Sequence, residues 1–275
     1  MLELHCHTTC SDGTLTPEEL VRSAIAAGVK ALAITDHDTL AGWERAITEA
    51  KDHIEIIPGL ELSTVHRERS LHILGFYPDR AKLEAPLQDR IMGRKRRAQA
   101  IVHKLNELGY PIKLPPMPGD MAPGRPHIAH ALVVAGYIQN PQEAFTRWLR
   151  EDGPAYVPYE KFSAAAGIKL LRDCGAVPVW AHPYLFRGGT VASVLPELVA
   201  AGLMGIEVYH PNHSPSEQRK LEEWCVEYGL LMTGGSDYHG PAVENVKEAV
   251  SLNGLKLPLS LLGPLKQAAI ALKDR

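Results

Sequence analysis

The chain has 275 residues, 45% hydrophobic and 22% charged, with a formal net charge of −3. That is enough length and apolar content for one large domain with its own core. No run reaches the 18 apolar residues of a membrane span, the start MLELHCHTTC lacks a leader pattern, and four irregularly spaced Cys fit a reducing cytoplasm, so a membrane protein, a secreted disulfide scaffold and a disordered chain are excluded as readings.

Short apolar runs recur at residues 2–4, 31–35, 54–57, 71–76, 176–181, 205–209 and 230–233. They are continuous rather than alternating, the pattern of strands buried on both faces in a parallel sheet. Helical patterns lie between several of them. Thr16-Pro17-Glu18-Glu19 reads as an N-cap, a first-turn Pro and a capping Glu, opening a helix that runs to about Ala27 and stops at Gly28. Ser214-Pro215-Ser216-Glu217 repeats the start signal and Gly229 the stop. Such alternation predicts an α/β architecture with a parallel sheet, open or closed into a barrel.

Residues 80–155 break the pattern. They hold 12 Lys/Arg against 7 Asp/Glu, a local charge of +5 that leaves −8 for the rest. Helical patterns at 85–108, 127–135 and 141–150 flank a Pro-rich stretch containing Pro111, Pro115, Pro116, Pro118, Pro123 and Pro126. The expected organisation is a main fold in two parts, 1–79 and 156–275, with 80–155 as an inserted, mostly helical subdomain. A basic insert on an acidic body suits a small anionic substrate better than duplex DNA.

Nearly every predicted strand carries a metal-ligand type of residue. The first ends in His5-Cys6-His7 with Asp12 beyond, and the second in Thr35-Asp36-His37-Asp38. Glu61 follows the third, His72 lies in the fourth, and His182 follows the fifth. The sixth ends in Glu207-Val208-Tyr209-His210, and Ser236-Asp237-Tyr238-His239 follows the seventh. In parallel α/β folds the carboxyl ends of the strands share one face, so these side chains converge. Imidazole and carboxylate ligands suit Mn, Zn or Fe. The nine positions His5, His7, Asp12, His37, Glu61, His72, His182, Asp237 and His239 exceed what one ion takes, so two or three divalent ions are expected, with manganese favoured. Alternation places His5 and His7 on one side and turns Cys6 away into packing.

The set HCH, TDHD, GLEL, HILG, AHP and SDYH, spread in order over residues 1–77 and 176–240, resembles the PHP (polymerase and histidinol phosphatase) family. The resemblance implies a distorted seven-stranded (β/α) barrel and a metal-dependent phosphoesterase. It further implies that His5, His7 and Asp237 hold one ion, that Glu61 bridges to a second held by His72 and His182, and that Asp12, His37 and His239 hold a third. The stretch Gly124-Arg125-Pro126-His127-Ile128-Ala129 resembles the stand-alone group linked to nucleoside 3′,5′-bisphosphate phosphatase and 5′-end exoribonuclease activity.

The expected mechanism is in-line attack on phosphorus by a hydroxide held between two ions. His210 is the candidate general acid or substrate contact, with a turn histidine as the other reading, and Asp237 could carry the proton instead. Arg125, His127 and Arg187 are candidates for holding a second phosphate. Asp36 and Asp38 either orient ligands or are solvated turn residues; Glu207 either orients a ligand or ends a strand. The run Arg94-Lys95-Arg96-Arg97 reads as a solvated helix face that could steer a polyanion. The substrates in view are a nucleoside 3′,5′-bisphosphate and the 5′ end of short single-stranded RNA, with no duplex DNA, membrane or protein partner evident. Histidinol phosphate phosphatase and a non-catalytic binding module are the alternatives.

Overall fold

The computed structural model describes residues 1–114, 116–117, 121–241 and 250–273, so Pro115 and Pro118 of the Pro-rich stretch lie outside the described residues. Seven strands form one sheet in sequence order: β1 (Leu2–Glu3), β2 (Ala31–Ile34), β3 (Glu55–His66), β4 (Arg69–Phe76), β5 (Val177–Trp180), β6 (Gly205–Tyr209) and β7 (Leu231–Gly234). The sheet curls until its ends meet. Leu4 N–H donates to Gly234 O, Tyr238 N–H to His5 O and His7 N–H to Tyr238 O, with Cys6 and Tyr238 bridged in parallel. The result is a distorted seven-stranded barrel with helices outside it.

The start signals read in the sequence act as expected. In α1 (Pro17–Ala26), Glu19 N–H donates to Thr16 Oγ1 at 3.2 Å and Thr16 N–H to Glu19 Oε2 at 2.8 Å. Ser214 and Glu217 make the same pair at the head of α8 (Pro215–Tyr228), which Gly229 ends at φ 64°. Each such cap contributes about 1 kcal/mol.

The expectation of an all-parallel sheet fails at β4, which runs antiparallel to both β3 and β5. The third strand does not stop at residue 57 but continues to His66 and folds back through Arg67 and Glu68, at φ 47° and 62°. A two-residue hairpin of this kind normally carries Asn-Gly or Asp-Gly, so Arg-Glu gave no turn signal. Reversal brings the start of β4, and His72 with it, to the same face as the ends of the parallel strands.

Alternation divides the apolar side chains between two layers. Leu32, Ile34, Leu60, Leu62, Trp180, Ile206 and Val208 face the outer helices, among them α2 (Trp43–Ala50), α6 (Ala164–Asp173) and α7 (Val191–Ala200). Leu2, Leu4, Ala31, Ala33, Ile57, Leu74, Phe76, Val177 and Val179 form the inner cluster, against which α9 (Leu262–Lys273) packs Leu262, Leu265 and Ala269.

Between β4 and β5 the chain builds α3 (Arg80–Glu107), α4 (Arg125–Val134), α5 (Pro141–Ala144) and a π turn (Phe145–Leu149). Helix α3 starts five residues before the expected position, because Asp79 accepts from Ala81 N–H and Lys82 N–H, and it runs on through Pro86. These helices share a third apolar cluster that includes Ile101, Leu105, Ile128, Leu132, Trp148 and Leu149. Among the described residues no helix is long and apolar enough to cross a membrane.

Candidate metal centre

Glu61 is the centre of the arrangement. It is 1% exposed, and five imidazole nitrogens surround its carboxylate. Oε1 lies 2.7 Å from His72 Nδ1 and 3.0 Å from His182 Nε2. Oε2 lies 3.2 Å from both His5 Nε2 and His7 Nε2, and 3.4 Å from His37 Nδ1. Asp237 Oδ1 approaches His5 Nε2 at 3.3 Å and His7 Nε2 at 3.1 Å. Asp12 Oδ1 faces His239 Nε2 at 3.4 Å and His7 Nδ1 at 3.6 Å.

The structure therefore brings all nine candidate ligands together. The donor atoms of eight of them fall into three overlapping groups, each within 4.8 Å: His5, His7, Glu61 and Asp237; His37, Glu61 and His72; His7, Asp12, His37 and His239; the ninth, His182, joins through Glu61 Oε1 at 3.0 Å. The overlap departs from the separate sets implied by resemblance, since His7 and His37 each belong to two groups. Glu61 also belongs to two, as a bridging carboxylate does.

The donor set fits divalent cations. His5 Nε2, His7 Nε2, Asp12 Oδ1, His37 Nδ1, His72 Nδ1 and Asp237 Oδ1 are all buried, and none has a hydrogen-bond partner in spite of the short approaches. Buried polar atoms are normally satisfied, and six orphans around one space call for a cation. Burial alone would raise the carboxyl groups. The imidazoles His37, His72 and His5 instead hold Glu61 well below the ordinary carboxylate range, and His5 and His239 do the same for Asp237. Both stay ionised, as a metal ligand must. Three residues of this rim, Asp38, His182 and Asp237, take left-handed φ values of 54°, 32° and 54°. Such strain in non-glycine residues persists where the surroundings over-determine it.

Comparison with known proteins gives the family. The PHP domain model matches residues 3–111. A 5′-3′ exoribonuclease from Haemophilus influenzae is 36% identical over 246 residues, covering 87% of this chain and 90% of that protein. The chain belongs to the PHP family. It is a hydrolase of phosphoric esters. A 3′,5′-nucleoside bisphosphate phosphatase from Chromobacterium violaceum is 30% identical over 249 residues, covering 87% of each chain. A solved structure from Bifidobacterium adolescentis, assigned to the metal-dependent phosphoesterases, superposes with a TM-score of 0.83 at 30% identity, over 100% of this chain and 98% of that one.

Beyond the ligands, the PHP site has supports that the sequence reading left open or misplaced. Asp36 is buried and accepts from Thr8 N–H, Thr8 Oγ1 and Ser11 Oγ, so it holds the loop between His7 and Asp12 rather than a ligand ring. The basic run 94–97 is a solvated face only at Lys95 and Arg96, the latter paired with Glu160 at 2.6 Å. Arg94 and Arg97 are 6% and 7% exposed. Arg94 Nη1 donates to Asp38 Oδ2 at 2.9 Å and Ser63 Oγ at 2.8 Å, while Arg97 Nε donates to Val157 O. A signal for this was present: Leu83, Leu87, Ile91, Arg94, Ala98, Ile101 and Leu105 follow one helical stripe, and Arg94 falls on it.

A cavity of about 640 Å³ adjoins His72 and His182. Arg125 and Arg187 both line it, together with Arg69 and Arg150, which sequence reasoning did not single out. Arg125 Nη1 donates to Leu149 O at 3.2 Å. His127 is not in the cavity wall, and its Nδ1 accepts from Gly124 N–H at 3.0 Å. That nitrogen caps the helix and is closed to a phosphate, which leaves Nε2 as the ring's donor. His210 is buried, with Nε2 3.8 Å from Asp237 Oδ2 and Nδ1 accepting from Asn212 N–H.

Chelation gives a direct check on the PHP site. A cation present at 100 times its Kd stabilises the folded state by about 2.7 kcal/mol. Thermal unfolding with and without EDTA should therefore differ by roughly 5–10 °C. Coincident melting curves would remove these residues as a cation site.

Proposed function

We propose that the protein removes the 3′-phosphate of nucleoside 3′,5′-bisphosphates and trims short single-stranded RNA from a 5′-phosphorylated end. The observation that carries this reading is the arginine-walled cavity opening beside His72 and His182. The two substrates then share one geometry. The 5′-phosphate occupies the cavity, and the phosphate on the 3′ oxygen of the same nucleotide faces the ligand row, as a monoester or as the first internucleotide linkage. The names of the two relatives support the same pair of substrates.

In this reading His5, His7, Glu61 and Asp237 hold one cation, Glu61, His72 and His182 a second, and Asp12, His37 and His239 a third, with Mn²⁺ favoured. Such cations supply Lewis acidity at the phosphoryl oxygens and make water nucleophilic at neutral pH. The chain's own residues do the rest. Because His210 Nδ1 accepts from a backbone N–H, the neutral ring carries its proton on Nε2, facing Asp237. From there it donates to an oxygen of the phosphate or of the leaving group. Asp237, ionised and with Oδ2 3.8 Å from that nitrogen, keeps the ring turned toward the site. Arg125 and Arg187 clamp the second phosphate. Leu185 and Phe186, in the same wall, offer an apolar surface to the base.

Histidinol phosphate, a cation with a single phosphate, finds less here. The wall sets four arginines, Arg69, Arg125, Arg150 and Arg187, against two acids, one of which, Asp152, is paired with Arg69 at 2.7 Å.

The test is phosphate release from adenosine 3′,5′-bisphosphate by the Mn²⁺-loaded protein, with histidinol phosphate alongside and Asp237→Asn as control. AMP and phosphate are the expected products, lost in the control. Turnover of histidinol phosphate alone would sink the two-phosphate reading. Arg125→Ala and Arg187→Ala should each raise KM for the bisphosphate about tenfold, the equivalent of one lost charge-assisted hydrogen bond. Hydrolysis of adenosine 3′-monophosphate should change little, and equal losses on both substrates would place these arginines elsewhere.

A further inference from the structure

Glu207 is a fully buried carboxylate in β6, flanked by Ile206 and Val208, which face the outer core. Its two oxygens go to two different candidate ligands. Oε1 lies 2.9 Å from His5 Nδ1, and Oε2 accepts from His182 N–H at 2.7 Å. His5 belongs to the group with His7, Glu61 and Asp237, whereas His182 reaches Glu61 beside His72. One side chain thus spans two cation groups without being a ligand of either.

Each contact has a chemical consequence. An ionised carboxylate only accepts, so His5 must carry its proton on Nδ1. That leaves the Nε2 lone pair directed at the space shared with Glu61 and Asp237. The second contact holds the backbone of His182 at φ 32° and ψ 63°, a left-handed conformation costly for a non-glycine residue. An apolar residue would fill this strand position without the desolvation that a carboxylate suffers. The contacts to His5 and His182 account for the charge.

We propose that Glu207 is a positioning residue that sets the tautomer of His5 and the backbone of His182, and so makes the two cation groups depend on one another. The proposal rests on the ligand roles proposed above for His5 and His182.

Glu207→Gln is the informative substitution, because it preserves shape. If its oxygen keeps the bond to His182 N–H, its NH₂ must face His5 Nδ1. That donor demands an unprotonated Nδ1 and moves the ring proton to Nε2, where the lone pair is needed. Calorimetric titration with Zn²⁺ should show affinity reduced 10–100-fold, the usual scale for a partner of a ligating imidazole. Glu207→Asp, which keeps the acceptor, should recover part of it. Unchanged Zn²⁺ affinity and stoichiometry in a folded Glu207→Gln protein would overturn the proposal. Should that variant fail to fold, ¹⁵N spectra of the histidine rings in the zinc-loaded wild type decide: a His5 proton on Nδ1 supports the proposal, and one on Nε2 overturns it. Wild-type protein that binds no Zn²⁺ at all would overturn the ligand set, and this inference with it. Binding in the wild type with equal binding in the variant would overturn this inference alone.

Discussion

Glu61→Gln is expected to lower kcat by about 10³-fold or more, and to reduce the bound metal per chain. Removing one preorganised electrostatic group from an active site commonly costs 10²–10³-fold, and Glu61 serves more than one group. Five imidazole nitrogens lie within 3.4 Å of its two oxygens. Glutamine keeps the volume but offers one acceptor and places an NH₂ against rings that need an acceptor or a shared cation. Phosphate release and elemental analysis of the purified variant check this together. Activity within tenfold of wild type, with full metal content, would mean that Glu61 is not the shared ligand.

Arg94→Met should destabilise the fold by about 3–5 kcal/mol, because it strands the carboxylate of Asp38 in the interior. The pair is well buried, with side chains 7% and 1% exposed and a contact of 2.9 Å. The melting temperature would fall by roughly 10–15 °C on the scale usual for a chain of this size. The double variant Arg94→Met with Asp38→Asn should recover most of the loss, since no unpaired charge remains. Arg94→Lys should fall between, because it keeps the charge but its ammonium ends one bond short of Nη1, the nitrogen that reaches both Asp38 and Ser63. A single Arg94→Met variant that melts with the wild type would show that the pair contributes nothing net.

The row of candidate ligands was legible in the sequence for a simple reason. Chemistry-bearing residues sit at strand ends, and strand ends are marked by apolar runs that stop. The barrel was legible for the same reason. The direction of β4 was not, because its hairpin turns on Arg67 and Glu68 instead of the small residues that tolerate positive φ. Arg94 was misplaced because charge outweighed periodicity in the reading, although the stripe from Leu83 to Leu105 passes through it. For Glu207 the sequence left two readings open, a strand end or a residue that orients a ligand, and named no partner. Its two partners lie 202 and 25 residues away, a relation that only the closed barrel creates.

Strand order follows sequence order everywhere except at the seam, where β1 meets β7. Six of the pairings join consecutive strands, and all of these but β4 with β5, which pairs Phe76 with Val177, can form as the chain collapses locally. The seventh joins Leu4 and His7 to Gly234 and Tyr238 across more than 200 residues. It bears the largest loop-closure entropy of the seven pairings and is their natural last step in folding. His5 and His7 lie on one lip of that seam, and Asp237 and His239 on the other. A cation held between them, as proposed above, would act as a clasp, and if the seam closes last it would slow unfolding more than it speeds folding.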